Sequence, residues 1–179
     1  MRPVMRLVMC PLALATIAWS SAASAEVSSW VFVGGGANWL SERASGYEMA
    51  PSMQIDVGMG SPPSRSFVVG MLGRTITNFG RGTDLALALR GTTGGFSRGG
   101  YGVAVDLGMY RRWWGMGSWG PIGSLHLGGP YGLQLTGNVE IGTQEHRTFG
   151  VLFGVDLLRL TVHRPAHDKW WMNPRPSWR

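Results

Sequence analysis

The sequence has almost no lysine and almost no cysteine. Lys169 is the single lysine among 179 residues, and charged residues make up only 15% of the chain, well below the roughly 25% of ordinary soluble domains. Cys10 is the single cysteine and lies near the N-terminus, so the rest of the chain has neither a disulfide framework nor a cysteine-based metal site. The apolar content of 44% excludes a disordered, charge-rich protein.

Long apolar runs are also scarce, and the one marked run lies within the first 25 residues. Two arginines precede an apolar run from Leu7 to Trp19, which is followed by small residues up to Ala25. A positive start, a short apolar run and a small-residue cleavage site are the parts of a secretory signal peptide. We therefore expect residues 1–25 to be cleaved during export. No later run reaches the ~20 apolar residues of a membrane-spanning helix.

Alternation of apolar with small or polar residues recurs through the rest of the chain, while helical periodicity is missing. In the most regular stretch, large apolar side chains stand at every second position from Tyr101 to Met109. A period of two predicts β-strands, so the chain is all-β. The eight predicted strands lie within residues 29–40, 53–59, 66–78, 84–90, 101–109, 120–127, 131–141 and 147–162.

The connectors between these strands fall into two classes. Three are rich in glycine, proline, serine or threonine and are suited to turns: 61–65, 92–98 and 128–130. The other set contains the two longest connectors: 41–50, 79–81, 111–119 and 142–146. Short and long connectors mostly alternate, which predicts an antiparallel up-and-down barrel with one rim of turns and one rim of longer loops.

The polar faces of the predicted strands decide between a soluble barrel and a membrane barrel. Water-facing strands normally carry abundant lysine and glutamate, whereas these faces hold glycine, alanine, serine, threonine and isolated charges. Small residues suit a narrow lumen, which predicts that the apolar faces point outward to lipid. Aromatic residues near the predicted strand ends suit the membrane interfaces. They are Trp30, Trp39, Tyr101, Tyr110, Trp113, Trp114, Tyr131 and Phe149. Trp30 and Trp39 differ in parity, so both face lipid only if the Gly34–Gly36 run forms a bulge or Trp39 lies beyond the strand.

The layout from Ser29 to Val162 resembles that of the small eight-stranded outer-membrane β-barrels of Gram-negative bacteria. The resemblance is architectural and rests on the export signal, the eight alternating stretches and their apolar faces. It implies a monomeric, eight-stranded, antiparallel up-and-down transmembrane β-barrel in the outer membrane, formed by residues 26–163. Members of this superfamily include adhesion or stability barrels, small channels and lipid A-modifying enzymes.

The polar faces carry a set of ionisable residues that we expect to line the lumen. Buried charges are costly unless they are paired, so the set predicts an ion-paired plug. A narrow, cation-preferring pore is the alternative, because acidic residues outnumber basic ones. The predicted luminal residues are Asp56, Asp84, Arg90, Asp106, His126, Glu140 and Asp156, with Arg74 as a further candidate.

The segment RRWWGMGSW joins two predicted strands and combines cations with aromatic rings. Such residues anchor a barrel at the membrane interface, where arginines contact lipid phosphates. The same segment is a candidate recognition surface for lipopolysaccharide or a surface protein partner. Its candidate residues are Arg111, Arg112, Trp113, Trp114 and Trp119.

An enzymatic site would need a serine, a histidine and a carboxylate within hydrogen-bond reach. Ser124 and His126 share a strand face, and Glu140 is the candidate third member. A tight hairpin at Gly128 to Tyr131 would place Glu140 opposite residue 119, roughly 17 Å along the strand from Ser124. We therefore expect no catalytic residues.

Metal, cofactor and nucleic-acid sites are not expected either. The four histidines show no zinc-ligand spacing, and no glycine-rich stretch is followed by the lysine and helix of a phosphate loop. The chain shows no recognised nucleic-acid-binding motif, and its expected export also argues against a nucleic-acid partner. The histidines are His126, His146, His163 and His167.

The sequence thus predicts a non-enzymatic outer-membrane barrel with a surface-interaction or envelope-structural role. A soluble, secreted, lipocalin-like barrel is the alternative from another class, and a lipid A-modifying enzyme is a further one. The soluble barrel would turn one set of apolar residues inward around a ligand: Leu85, Leu87, Leu89, Val103, Val105 and Leu133. Residues 164–179, with three tryptophans, are predicted to form a polar and aromatic periplasmic tail.

Overall fold

A computed structural model describes most of the predicted barrel domain. The described residues are 27–41, 46–62, 66–143 and 145–161. The predicted signal peptide, residues 1–25, and the predicted tail, residues 164–179, lie outside them. Within the described ranges, no helix has the length and hydrophobicity needed to cross a lipid bilayer.

The described residues form eight β-strands in one closed sheet. The strands are β1 (Ser28–Ser41), β2 (Glu48–Gly60), β3 (Phe67–Asn78), β4 (Gly82–Thr93), β5 (Gly102–Arg112), β6 (Ser118–Gly128), β7 (Leu133–Ile141) and β8 (Arg147–Asp156). Each strand pairs antiparallel with the next, and β8 pairs antiparallel with β1. The predicted all-β, eight-stranded, up-and-down barrel is therefore confirmed.

The alternating sequence pattern separates an outer face from an inner face. Val103, Val105 and Leu107 of β5 face outward, while Ala104 and Asp106 between them are buried, because successive side chains point to opposite faces of a strand. The same alternation holds around the barrel. The residues that a soluble ligand-binding barrel would turn inward all face outward: Leu85, Leu87, Leu89, Val103, Val105 and Leu133.

Strand β1 turns Trp30 into the barrel, contrary to its predicted place at an outer rim. The pairing of β1 with β2 runs without a bulge through the Gly34–Gly36 run, so Trp30 and Trp39 keep opposite parity and Trp30 is fully buried. Gly60 and Gly70 leave the space for its ring, because a Cβ at either position would lie 2.5 or 2.7 Å from it. Tyr110 is also buried. Its predicted outer position is wrong because it shares the parity of the inward-facing residues of β5.

The barrel has two ends, which we name by their connectors. The loop rim carries the β1–β2, β3–β4, β5–β6 and β7–β8 connectors, and the terminal rim carries the other three and the ends of the described barrel. The predicted contrast between short turns and long loops is not found. The connector 94–101 at the terminal rim contains helix α1 (Gly94–Ser97), whereas 79–81 at the loop rim is a short turn.

Two short helices close the terminal rim. Helix α1 begins after Thr93, whose hydroxyl accepts from the backbone N–H of Phe96 at 3.4 Å. The Phe96 ring is buried in a cluster with Trp30, Val68 and Ala104. The predicted last strand, 147–162, ends instead at Asp156, where helix α2 (Leu157–Thr161) begins.

Candidate functional site

A cluster of five ionisable side chains occupies the middle of the barrel. We call it the central cluster: Asp56, Arg74, Arg90, Asp106 and His126. Strand register assembles it, because Asp56 of β2 lies opposite Arg74 of β3, and Arg90 of β4 lies opposite Asp106 of β5. None of the five side chains is more than 2% exposed.

Each arginine of the central cluster makes a two-point contact with the aspartate opposite it. Arg74 donates from Nε and Nη2 to Asp56, both at 2.8 Å. Arg90 donates from Nε and Nη2 to Asp106 at 2.7 and 2.8 Å. Cross contacts join the two pairs, with Arg74 Nη2 at 2.5 Å from Asp106 and Arg90 Nη2 at 3.2 Å from Asp56. The formal charges of the four residues cancel, as buried charges require.

His126 is held within the central cluster by both ring nitrogens. Nε2 lies 2.7 Å from Asp106 Oδ2, and Nδ1 lies 2.8 Å from Thr136 Oγ1. Ligand atoms of Asp56, Asp106 and His126 lie within 4.8 Å of one another, an arrangement that could hold a metal ion. The guanidinium groups of Arg74 and Arg90 already bind both carboxylates, so the arrangement favours an ion-paired plug over a metal site.

A second charged cluster lies nearer the loop rim, and we call it the rim cluster. Arg112 donates to Asp84 from Nε at 2.8 Å and from Nη2 at 2.5 Å, and its Nη2 lies 3.2 Å from Glu140 Oε2. Trp114 covers this arginine with its ring centroid 4.2 Å from Cζ, and its Nε1 donates to Asp84 at 2.8 Å. His146 completes the rim cluster through a contact with Arg112 Nη1.

His146 lies in the β7–β8 connector and is the cluster's titratable group outside the strands. It is 4% exposed, and burial together with the neighbouring Arg112 guanidinium lowers the pKa of His146 to about 4. The imidazole is therefore neutral at pH 7 and can accept a hydrogen bond from the guanidinium.

Asp156 belongs to neither cluster. Its Oδ1 accepts from the backbone N–H groups of Leu158 and Arg159 at 3.0 and 3.3 Å, which caps the first turn of α2. Its Oδ2 accepts from Arg159 Nη1 at 2.7 Å, and the Arg159 guanidinium lies 4.7 Å from the Phe96 ring centroid. This pair ties α2 to α1 at the terminal rim.

All seven predicted luminal residues are buried, but they form two clusters and a separate helix cap. Arg74, only a further candidate in the sequence, bonds both aspartates of the central cluster. Arg112 was missed as a luminal residue because the aromatic segment suggested an interface role. Its even number places it on the inner face of β5 with Asp106 and Tyr110, a signal that was present in the sequence.

The predicted loop-recognition set is divided by the structure. Arg111, Trp113 and Trp119 are exposed on the outside of the loop rim, as expected. Arg112 is 2% exposed and Trp114 is partly buried over it, so their predicted outward positions are wrong. The cause is the ion pair with Asp84, which lies directly opposite Arg112 across β4 and β5.

The three residues considered for a catalytic triad are not assembled. Ser124 accepts from Arg74, His126 bonds Asp106, and Glu140 lies at Arg112 in the rim cluster. Glu140 lies opposite Ile122, not opposite residue 119, because the turn Pro130–Gly132 delays the start of β7. Comparison with family models, curated proteins and solved structures gives no match for this chain.

Proposed function

We propose that this protein is a monomeric, non-enzymatic outer-membrane β-barrel with a sealed interior, and that its loop rim has a surface-interaction or envelope-structural role. The observation that carries the proposal is the outer surface. Large apolar side chains stand exposed on each strand from β2 to β8, with Leu89 70% and Leu107 67% exposed. Apolar area of this extent is unfavourable in water and is typical of a lipid-facing barrel wall.

The distribution of aromatic residues supports the same proposal. Exposed rings occur at both ends of the barrel, and aliphatic side chains and methionines dominate between them. At the terminal rim these rings are Phe67, Tyr101 and Tyr131, and at the loop rim they are Tyr47, Phe79, Trp113, Trp119 and Phe149. Phe153 of β8 is a further exposed ring between the two rims. Two aromatic girdles separated by an aliphatic belt are typical of barrels that cross a bilayer.

The filled interior favours a structural barrel over the pore alternative. Ion-paired side chains occupy the central and rim clusters, and Phe96 with the Asp156–Arg159 pair blocks the terminal rim. An open path would require breaking several buried ion pairs, which is costly. We expect the folded protein to give no conductance steps in planar bilayers. Regular, cation-selective steps would support the pore instead.

The assignment to the membrane is tested by fractionation and gel mobility. We expect the exported protein to stay with the outer-membrane fraction, to require detergent for extraction, and to migrate differently before and after heating. Extraction into detergent-free buffer, together with unchanged mobility on heating, would contradict the proposal. A soluble barrel would show that behaviour.

At the loop rim, Arg111, Trp113 and Trp119 are the residues through which we propose contact with lipopolysaccharide or a surface partner. All three are exposed and stand close in the chain around the β5–β6 connector. Arginine and tryptophan combine charge with an amphipathic ring, as an interfacial contact requires. Replacing Trp113 and Trp119 by serine should reduce binding of lipopolysaccharide or of a surface partner to the folded protein. The same replacement should leave the heat-modifiable mobility of the protein unchanged.

A further inference from the structure

An outward groove lies at the loop rim beside the β7–β8 hairpin. It consists of two adjoining hollows of about 430 and 370 Å³ that share Tyr47 and Arg147. Volumes in this range are typical of small-molecule sites. The hollow at the end of the barrel, which we call the upper hollow, is lined by Ser41, Gly46, Tyr47, Glu145 and Arg147. The hollow further along β7 and β8, which we call the lower hollow, has an apolar wall of Val139, Ile141 and Phe149.

The lower part of the groove is an aromatic and aliphatic wall. Phe149 stacks on Trp39 with ring centroids 4.9 Å apart, and Tyr47 meets Phe149 edge-on at 5.4 Å. Val139 and Ile141 of β7 continue the exposed apolar surface along the strand direction. Stacked rings form a rigid surface, so this wall suits an extended hydrocarbon chain.

The upper part of the groove carries one charge of each sign. Arg147 and Glu145 are both exposed, and among the described residues neither side chain has an ion-pair or hydrogen-bond partner. Elsewhere on this rim, Arg81 and Glu48 pair with each other. The groove mouth therefore offers one anion-binding group and one cation-binding group beside the Tyr47 ring.

We propose that this groove binds a zwitterionic phospholipid, an inference that rests on the membrane location proposed above. Its phosphate binds the Arg147 guanidinium, its ammonium group binds the Glu145 carboxylate and the Tyr47 ring, and an acyl chain lies on Val139, Ile141 and Phe149. Charge complementarity selects this class of lipid, because Glu145 repels a headgroup that carries only negative charge. Aromatic faces also attract ammonium groups.

Native mass spectrometry of the protein released from neutral detergent micelles tests the proposal. Phosphatidylethanolamine and phosphatidylglycerol with identical acyl chains are the probes. We expect wild-type protein to bind the ethanolamine lipid about tenfold more tightly, since one charge-assisted contact is worth about that factor. Glu145→Gln should remove the preference, because Glu145 is the group that distinguishes the two headgroups. Arg147→Gln should weaken binding of both lipids, because both carry the phosphate that this arginine binds. Arg98→Gln, at an exposed arginine of the opposite rim, should retain the preference.

Heat-modifiable mobility of each variant in vesicles separates the failure of this proposal from failure of the membrane assignment. A wild-type protein that does not insert overturns the membrane assignment and the lipid site with it. An inserted protein that binds both lipids equally, or a folded Glu145→Gln variant that keeps the preference, overturns the lipid site alone. Displacement of the lipid by water-soluble glycerophosphoethanolamine at similar concentration would also overturn it, because the acyl chain would then contribute nothing.

Discussion

Replacing Asp106 by asparagine should destabilise the barrel strongly, because this carboxylate binds three buried partners. It accepts from Arg90 at 2.7 and 2.8 Å and from Arg74 at 2.5 Å, and it lies 2.7 Å from His126 Nε2. Asparagine keeps the shape but removes the negative charge, which leaves two buried guanidinium groups opposite Asp56 alone. Breaking a buried pair in this way costs about 3–5 kcal/mol.

The assay is urea unfolding of the refolded protein in vesicles, followed by tryptophan fluorescence and by gel mobility. Glu48→Gln is the matched control, because Glu48 pairs with Arg81 at the exposed loop rim, where such a pair contributes only about 0–1 kcal/mol. The double variant Arg90→Gln/Asp106→Asn restores neutrality and should regain about 1–3 kcal/mol relative to Asp106→Asn. Asp106→Asn within about 1 kcal/mol of wild type would refute the interpretation of the central cluster.

Two further predictions concern the outer belt and the rim cluster. Val105→Arg on the outward face of β5 should lower the free energy of unfolding in bilayers by about 2–4 kcal/mol. Thr83→Arg, near the loop rim, should lower it by only about 0–1 kcal/mol. Equal losses in urea unfolding would contradict a lipid-facing belt. The pKa of His146 is lowered to about 4 in the folded protein, so the unfolded chain binds more protons between about pH 6.5 and 4. Stability should therefore fall as pH falls through this range, and His146→Gln should weaken the fall in unfolding free energy; identical pH profiles would contradict this role.

The architecture of the barrel was predictable because strand alternation is a local property. The stretch from Tyr101 to Met109 alternates without interruption, and β5 spans Gly102–Arg112 with the expected face outward. The pattern could not predict helix α2, where alternating residues after Asp156 suggested a longer strand. The Asp156 side chain instead caps the next turn, and such a local side-chain bond competes with strand extension.

The facing of Trp30 and Arg112 shows where two sequence rules conflicted. Strand parity places both residues inward, whereas the preference of aromatic and basic residues for membrane interfaces suggested outward positions. Parity prevails because a strand without a bulge cannot turn one side chain to the other face. Arg112 is also stabilised inside by Asp84, a partner on β4 whose position depends on register and cannot be read from β5 alone.

Buried ion pairs also favour the observed strand register over its two-residue slips. Apolar alternation excludes a slip of one residue, because every side chain would change face, but it permits a slip of two. A two-residue slip between β2 and β3 would place Asp56 opposite Leu72 or Ile76 instead of Arg74. Such a slip would leave a buried carboxylate without its partner, and an unpaired buried charge is costly.

The same argument applies twice between β4 and β5, where Arg90 lies opposite Asp106 and Asp84 lies opposite Arg112. A two-residue slip would break both pairs at once and place Arg90 opposite Ala104 or Gly108. Three direct cross-strand pairs therefore disfavour the slips that the apolar pattern tolerates. Charged residues in the lumen thus contribute specificity of strand pairing, even though an apolar plug of the same volume would be easier to bury.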